Sequence, residues 1–449
     1  YIMTDHYSFS KFNYFKVIGK TVIGVNFVDK LLFAIDLEKY NLLLNYKSNL
    51  EGLRKENQVF YSTMVKLGII KSTELDRAFY EDALLKRRLT VFRDPSYRLT
   101  INPTLNCNFS CWYCYETHNK KYMSNEVKQR ILKLIDNIVS KQDIQYFELD
   151  WFGGEPLLCY KNMVQPISEF TKSVCEEKKV FFISGITTNG YLINTEMIDF
   201  FKKVNMQSFQ ITLDGSKDIH DTIRYTHSNK GSYDRIVHNI ILLTRELKPQ
   251  NLSLRINYTS KSFSSIGCII DSFPKDIRAN IKVLLQQVWQ DKESKRLTMR
   301  EIGDLQFKFK EAGFQIEREI LHCSTETSCY ADNFNQSVIN YDGRVFKCTA
   351  LNFEKTQEDG ILTDDGNILW GNSLAHKIIH ATFENEYCKE CRFLPICYGP
   401  CHKKTTYVAD GDDFEKYCFK EGIKDTLDYI MTEFEKTGQA LAPLLDFRI

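Results

Sequence analysis

Three cysteines spaced Cys107-x3-Cys111-x2-Cys114 form the tightest thiol cluster in the first two thirds of the chain. Thiolates this close together are metal ligands, each able to hold one corner of a site. A structural zinc ion closes with four ligands, and His118 is the only nearby residue that would complete the set. Three thiolates on a four-iron cluster instead leave one iron open to a small molecule, which is a reactive arrangement. A second concentration runs Cys388-x2-Cys391-x5-Cys397-x3-Cys401-x16-Cys418, preceded by Cys323-x5-Cys329 and by Gly343-x4-Cys348. Taken alone, its Cys-x2-Cys pair fits zinc as well as iron. Cys159, Cys175 and Cys268 are left over and read as small core hydrophobes, although Cys159 stands close behind Gly154. Fourteen cysteines, with no apolar export segment visible in Tyr1–Ser10, predict a reducing, cytoplasmic setting.

The elements that must position these residues fall into three segments. Residues 95–300 alternate strand and helix patterns. Strands are expected at Arg98–Leu105, Tyr146–Phe152, Val180–Ile186, Gln207–Leu213, Leu252–Tyr258 and Ile281–Trp289, with helical stretches between them. Six such units predict an α/β fold with a parallel sheet, in the form of a partial (β/α)6 barrel. Gly153-Gly154-Glu155-Pro156, Thr187-Thr188-Asn189-Gly190 and Asp214-Gly215 follow strand C-terminal ends, the face on which such barrels carry ligands. Residues 1–90 read as a winged-helix-like module: short strands, a helix capped by Asp36, a helix carrying Phe60, Met64 and Leu67 and closed by Gly68, and a charged helix from Ser72. Residues 301–449 are loop-rich and cysteine-dense until a helix at Glu421–Lys436, so metal ligation would supply much of their folding free energy. A formal charge of +1 argues against broad capture of nucleic acid, and no run of 18 apolar residues predicts a membrane span.

With Tyr113 ahead of its last cysteine, the first cluster resembles the signature of the radical S-adenosylmethionine (SAM) enzymes. The resemblance implies that the open iron binds the amino and carboxylate groups of SAM and that Tyr113 lies against the adenine. It implies that Gly153, Gly154, Glu155 and Pro156 bind the amino group, with Glu155 as an acceptor for the ammonium. Thr188, Asn189 and Asp214 resemble the family's positions around the ribose and methionine, and His220-x3-Arg224 resembles the loop after its fourth strand. The C-terminal cysteines resemble the SPASM domain of radical SAM enzymes that modify peptides. That resemblance implies two auxiliary [4Fe-4S] clusters, one on Cys323, Cys329, Cys348 and Cys401, the other on Cys388, Cys391, Cys397 and Cys418. Residues 1–90, ending Val65-Lys66-Leu67-Gly68-Ile69-Ile70, resemble the peptide-recognition element of maturases of ribosomally made peptides, which add a leader peptide as an edge strand.

These resemblances imply a peptide maturase that cleaves SAM reductively and installs a thioether or carbon–carbon crosslink. Its partners would be a precursor peptide with its leader and an electron donor such as flavodoxin or ferredoxin. An anaerobic sulfatase-maturing type of enzyme, forming formylglycine, shares the cysteine layout. That family carries an Asp directly after the Cys348 position, where this chain has Thr349. A non-enzymatic zinc protein would leave Gly153–Pro156 without a role. No side chain is singled out as a catalytic base or nucleophile.

Overall fold

A computed structural model of the chain describes residues 6–141, 143–291, 297–317, 329–405 and 414–437. Two compact units emerge. One gathers the chain up to Phe92 with Cys329 and the segment from Lys377; the other comprises Arg93–Glu319 and Tyr330–His376. The first boundary between the units lies between Phe92 and Arg93. The expected 301–449 segment, by contrast, is shared between both units.

In the first unit β1 (Tyr7–Phe9) pairs with a later strand. β2 (Asn13–Ile18), β3 (Thr21–Asn26) and β4 (Leu31–Asp36) form an antiparallel sheet in that order. Asp36 caps α1 (Leu37–Asn45) by accepting from Lys39 N. α2 (Leu50–Glu56), absent from the sequence reading, precedes α3 (Gln58–Lys66). Gly68 follows at φ +72°, as a helix-ending glycine should. β5 (Ile70–Ser72) pairs with β1, and α4 (Thr73–Arg93) follows. Phe33, Leu43, Leu53, Phe60, Met64 and Ile69 make the core of this module. On the other face of the sheet, Phe12, Ile23, Val25 and Phe27 pack with Phe393, Ile396, Ile423, Leu427 and Met431 of the C-terminal segment.

The second unit contains the parallel sheet. Its strands are β6 (Ser96–Ile101), β7 (Tyr146–Trp151), β8 (Phe181–Thr188), β9 (Met206–Leu213), β10 (Asn251–Tyr258) and β11 (Lys282–Gln287). Helices α5 (Asn125–Lys141), α6 (Gln165–Lys178), α7 (Thr195–Lys203), α8 (Lys217–Ile223) and α9 (Tyr233–Glu246) connect the first five. β12 (Gln315–Ile316) extends the sheet beyond β11. At the other end β13 (Gln336–Ile339) pairs parallel with β6, then β14 (Arg344–Phe346), β15 (Gly360–Leu362) and β16 (Ile368–Trp370) continue as an antiparallel meander. The order from β12 to β16 does not close, so the barrel is partial. Part of the cysteine-dense region therefore belongs to the main sheet. Among the described residues no helix is long and apolar enough to cross a membrane.

Strand alternation divides the barrel walls. Leu99, Ile101, Phe147, Leu149, Trp151, Ile211, Leu254 and Ile256 belong to one continuous apolar core. The residues between them are polar. Arg98 Nε donates to Glu148 Oε2 at 2.6 Å and lies 3.5 Å from Asp150 Oδ2. Burial and the Glu148 charge push the Asp150 carboxyl up to about 7, against the pull of Arg98. A carboxyl raised in the folded state contributes stability that is full below its ordinary pKa near 4 and lost as pH rises through 7. Asp150→Asn should therefore be the more stable protein at pH 8, with the gap closing towards pH 4. The side chain is 26% exposed, so solvent trims the effect to about 2 kcal/mol. Urea denaturation of the metal-free chain at both pH values measures it; a gap that does not change with pH would contradict the assignment.

Candidate functional site

The loop after β6 carries Cys107, Cys111 and Cys114, and the ends of β7 and β8 hold it. Gly154 N donates to Thr104 O at 3.1 Å and Glu155 N to Asn106 O at 2.9 Å. The two glycines are required by this approach. A Cβ on Gly154 would stand 2.3 Å from Asn106 O, and one on Gly153, at φ +108°, would stand 2.5 Å from Thr104 O. Pro156 opens a 3-10 turn over Pro156–Cys159 with Glu155 as its cap. Cys159 is buried there, as expected, and Cys175 is buried in the barrel core. Cys268 differs from the expectation: it is exposed, because its short 3-10 helix turns Ile266 and Ile269 inward instead.

Glu155 is fully buried, and its carboxylate is already engaged. It accepts from Leu157 N at 3.0 Å, Asn189 N at 2.8 Å and Thr188 Oγ1 at 2.8 Å. The carboxylate offered to an ammonium in the sequence reading thus ties the ends of β7 and β8 together. Asn189 Nδ2 continues the chain, donating to Asn108 Oδ1 at 2.7 Å within the cysteine loop. Burial pushes the Glu155 carboxyl up, and four neighbouring groups, among them Asn189 N–H and Arg224, oppose it. Glu155→Ala would strand three buried donors. We expect a loss of about 4 kcal/mol in chemical denaturation, with Glu155→Gln milder; a loss under about 1 kcal/mol would show that the donors find other acceptors.

Tyr113 stands in a second network. Its hydroxyl donates to Asp214, and accepts from Arg224 Nη1 at 2.9 Å and Asn257 Nδ2 at 3.1 Å. Asp214 is fully buried, receives Asn257 N at 3.1 Å and lies 4.0 Å from Arg224. Burial raises the Asp214 carboxyl while Arg224 pulls it down. His220 is structural: Nδ1 accepts from Asp214 N and Nε2 meets Ser232 Oγ, and burial holds the ring well below its ordinary pKa. The cysteine loop is also fastened from α8's far side, where Ser110 N donates to Tyr225 O and His227 Nε2 lies 2.7 Å from Cys107 O.

A cavity of about 170 Å³ opens over these groups. Tyr113, Cys114, Gly153, Gly154, Thr188 and Asn189 line it, whereas Glu155, Pro156 and Asp214 lie outside its lining. Among the lining residues not singled out from the sequence, three carry charge or aim hydrogen-bonding groups near Tyr113 and Cys114. Asn257 and Arg255 project from alternate positions of β10. Glu116, two residues past Cys114, has a buried Oε2 with no hydrogen-bond partner among the described residues, and burial pushes its carboxyl up to about 7. Only the strand alternation of β10 hinted at the first two. His118 lines the cavity too, with Nδ1 2.8 Å from Leu105 O.

The donor set fits an iron–sulfur cluster. Burial pushes the Cys107 thiol up to about 12, with the Glu155 charge adding to it, and raises Cys111 and Cys114. Protons would leave only as metal takes their place. Among the described residues no three His, Cys, Asp or Glu side chains converge on a single-ion site. In the first unit, Cys388, Cys391, Cys397 and Cys418 line one cavity of about 740 Å³. Cys329 and Cys401 belong to that unit and Cys348 to the second, while Cys323 lies outside the described residues.

Residues 101–257 match the family model of the radical SAM superfamily. The cysteine-type anaerobic sulfatase-maturating enzyme of Clostridium novyi (strain NT) is 25% identical over 375 residues, 77% of this chain and 98% of that protein. The serine-type anaerobic sulfatase-maturating enzyme of Bacteroides thetaiotaomicron is 22% identical over 407 residues, 79% of this chain and 92% of that one. Among solved structures, native anSMEcpe with bound AdoMet superposes with a TM-score of 0.57 at 17% identity, over 76% of this chain and 98% of its own. Streptococcus suis SuiB bound to S-adenosylmethionine does so at 0.50 and 17%, over 89% and 96%. At these identities the structural likeness speaks for the fold.

Proposed function

From the match of residues 101–257 to the radical SAM superfamily, we propose that this chain is a peptide maturase that installs an oxidative crosslink, thioether or carbon–carbon, in a ribosomally made precursor. The observation that carries the reading is the cysteine loop fastened by Glu155, Asn189 and the two glycines beside a polar cavity at the strand ends. Cys107, Cys111 and Cys114 would hold the SAM-binding cluster. With SAM bound, that cluster supplies reductive cleavage of SAM and, through it, removal of a hydrogen atom from an unactivated C–H bond. Tyr113, whose hydroxyl accepts from Arg224 and Asn257, would lie against the adenine. Gly153 and Gly154 leave strand-end backbone open to it. The cavity walls orient one substrate C–H bond and exclude water.

The C-terminal cysteines would hold two further [4Fe-4S] clusters, Cys323, Cys329, Cys348 and Cys401 one, Cys388, Cys391, Cys397 and Cys418 the other. The shared cavity of the second set supports this partition. Residues 6–92 would take the leader peptide. The outer strands β2 and β4 of the three-stranded sheet are its two edges, and strand addition there would raise the effective concentration of the core peptide. The SuiB likeness covers 89% of this chain, too much to omit that module entirely, so part of it shares the fold of that structure.

The sulfatase-maturating relatives favour a second reading, formylglycine formation. Against it, Thr349 offers a hydroxyl, engaged with Tyr330, where a carboxylate base is wanted. A hydrazide that traps aldehydes in the product separates the two. The primary test is anaerobic purification followed by iron, sulfide and 5′-deoxyadenosine assay. About 12 iron per chain with deoxyadenosine release is expected. Zinc alone, with no deoxyadenosine after iron reconstitution, overturns the reading.

A further inference from the structure

One guanidinium in the cavity is not answered by an acid. Residues at alternate positions face the lumen from three strand ends: Gln210 and Thr212, Arg255 and Asn257, Gln286 and Val288. Arg224 shares the lining but is buried, bonded to Tyr113 and placed against Asp214. Deeper in the lumen Arg98 has both Glu148 and Asp150. Arg255 has neither kind of partner. Its Nε donates to Asn257 Oδ1 at 2.9 Å, and among the described residues no carboxylate forms an ion pair with it. The carboxyl that feels its charge, Asp214, already accepts from Tyr113 and from Asn257 N, and the Tyr115 phenol feels it as well. Both Nη groups therefore keep their N–H donors for a ligand.

The surroundings suit an anion. Gln210, Thr212, Asn257 and Gln286 are neutral hydrogen-bonding groups. The Nε bond to Asn257 fixes the plane of the guanidinium, and a fixed fork grips a planar carboxylate with two parallel bonds. Asn257 also donates to the Tyr113 hydroxyl at 3.1 Å, so the residue that aims Arg255 touches the cysteine loop's tyrosine as well. The SAM carboxylate is, on the family resemblance, already taken by the open iron.

We propose that Arg255 binds a substrate carboxylate: an Asp or Glu side chain of the peptide beside the residue that reacts. This deepens the peptide-maturase reading and rests on it. The test uses the full-length, iron-reconstituted protein with SAM and no reductant. Two blocked tripeptides, acetyl-Gly-Asp-Gly-amide and its Asn counterpart, are titrated by calorimetry. The wild type should bind the Asp peptide about tenfold more tightly or better, the difference a charge-assisted bond makes. Arg255→Gln should erase the preference and Arg255→Lys should keep part of it. If Arg255→Gln fails to load iron, Arg255→Lys carries the comparison through a preference intermediate between wild type and none. Equal binding of the two peptides by wild type, or none, overturns the proposal, as does a preference that survives Arg255→Gln. A tenfold loss of SAM affinity in Arg255→Gln, with no peptide preference in wild type, would give the guanidinium to the cofactor and also overturn it. Deoxyadenosine release by the same wild-type sample on adding dithionite reports separately on the radical SAM reading, so the two failures are distinguishable.

Discussion

Cys111→Ala should lower reductive SAM cleavage by at least about 10³-fold, equivalent to about 4 kcal/mol of barrier, while the barrel stays folded. The structural half of this expectation comes from what holds the loop. None of its fastenings passes through the Cys111 thiol. Gly154 N and Glu155 N bond the backbone of Thr104 and Asn106, Asn189 bonds Asn108, Ser110 N bonds Tyr225, and His227 meets Cys107 O. Losing one partly buried thiol from such a loop removes little packing. The chemical half comes from ligand count. Three cysteines are the whole local set, and two cannot retain a cluster that must also keep an iron open. The variant should therefore purify with about 4 fewer iron per chain and an unchanged circular dichroism spectrum. Cleavage within tenfold of wild type would remove Cys107, Cys111 and Cys114 from the SAM site.

What was legible in the sequence was local. Short apolar, β-type runs between helical stretches overlap all six barrel strands, and Leu252–Tyr258 among them alternates cleanly. Asp36 and Gly68 marked helix ends through side-chain capping and a positive φ, both readable from residue type. The site's glycines were legible as a motif; their reason was not. Only the fold shows that a Cβ at Gly154 would collide with the backbone of Asn106. Glu155 was read as facing a ligand, but its partners Thr188 and Asn189 come from the next strand end, and no local pattern announces them. The same limit hid β13. Its four residues carry too short a period to reveal that they pair with β6 and draw 330–376 into the barrel unit. Arg255 could be seen as a charge in a strand; that no carboxylate among the described residues pairs with it depends on side chains brought in from other strands and loops.

Cys397→Ala should do the opposite of Cys111→Ala: retain SAM cleavage within about tenfold and lose crosslinked product. Cys397 lines its cavity with Cys388, Cys391 and Cys418, in a segment whose helices at Glu386–Lys389 and Leu394–Cys397 are four residues each. Helices that short do not persist on their own hydrogen bonds. Two sources of order are available, metal and packing, and the variant tests their shares. Phe393 and Ile396 pack with Phe12, Ile23 and Phe27, and the helix Lys420–Thr437 adds Ile423, Leu427 and Met431 to the same core. Tyr80 and Phe383, with ring centroids 6.1 Å apart, and the bond from Arg87 Nη1 to Ile378 O at 2.6 Å anchor the segment to α4. That packing should hold the unit together when one thiolate is removed, at the loss of about 4 iron per chain. The barrel, whose core is separate, should keep its SAM site. If the product still forms at the wild-type rate, the second set is structural and its cluster has no part in the oxidation. If SAM cleavage vanishes together with the product while the iron bound at Cys107, Cys111 and Cys114 remains, the two sites are coupled and the partition of roles proposed for them fails.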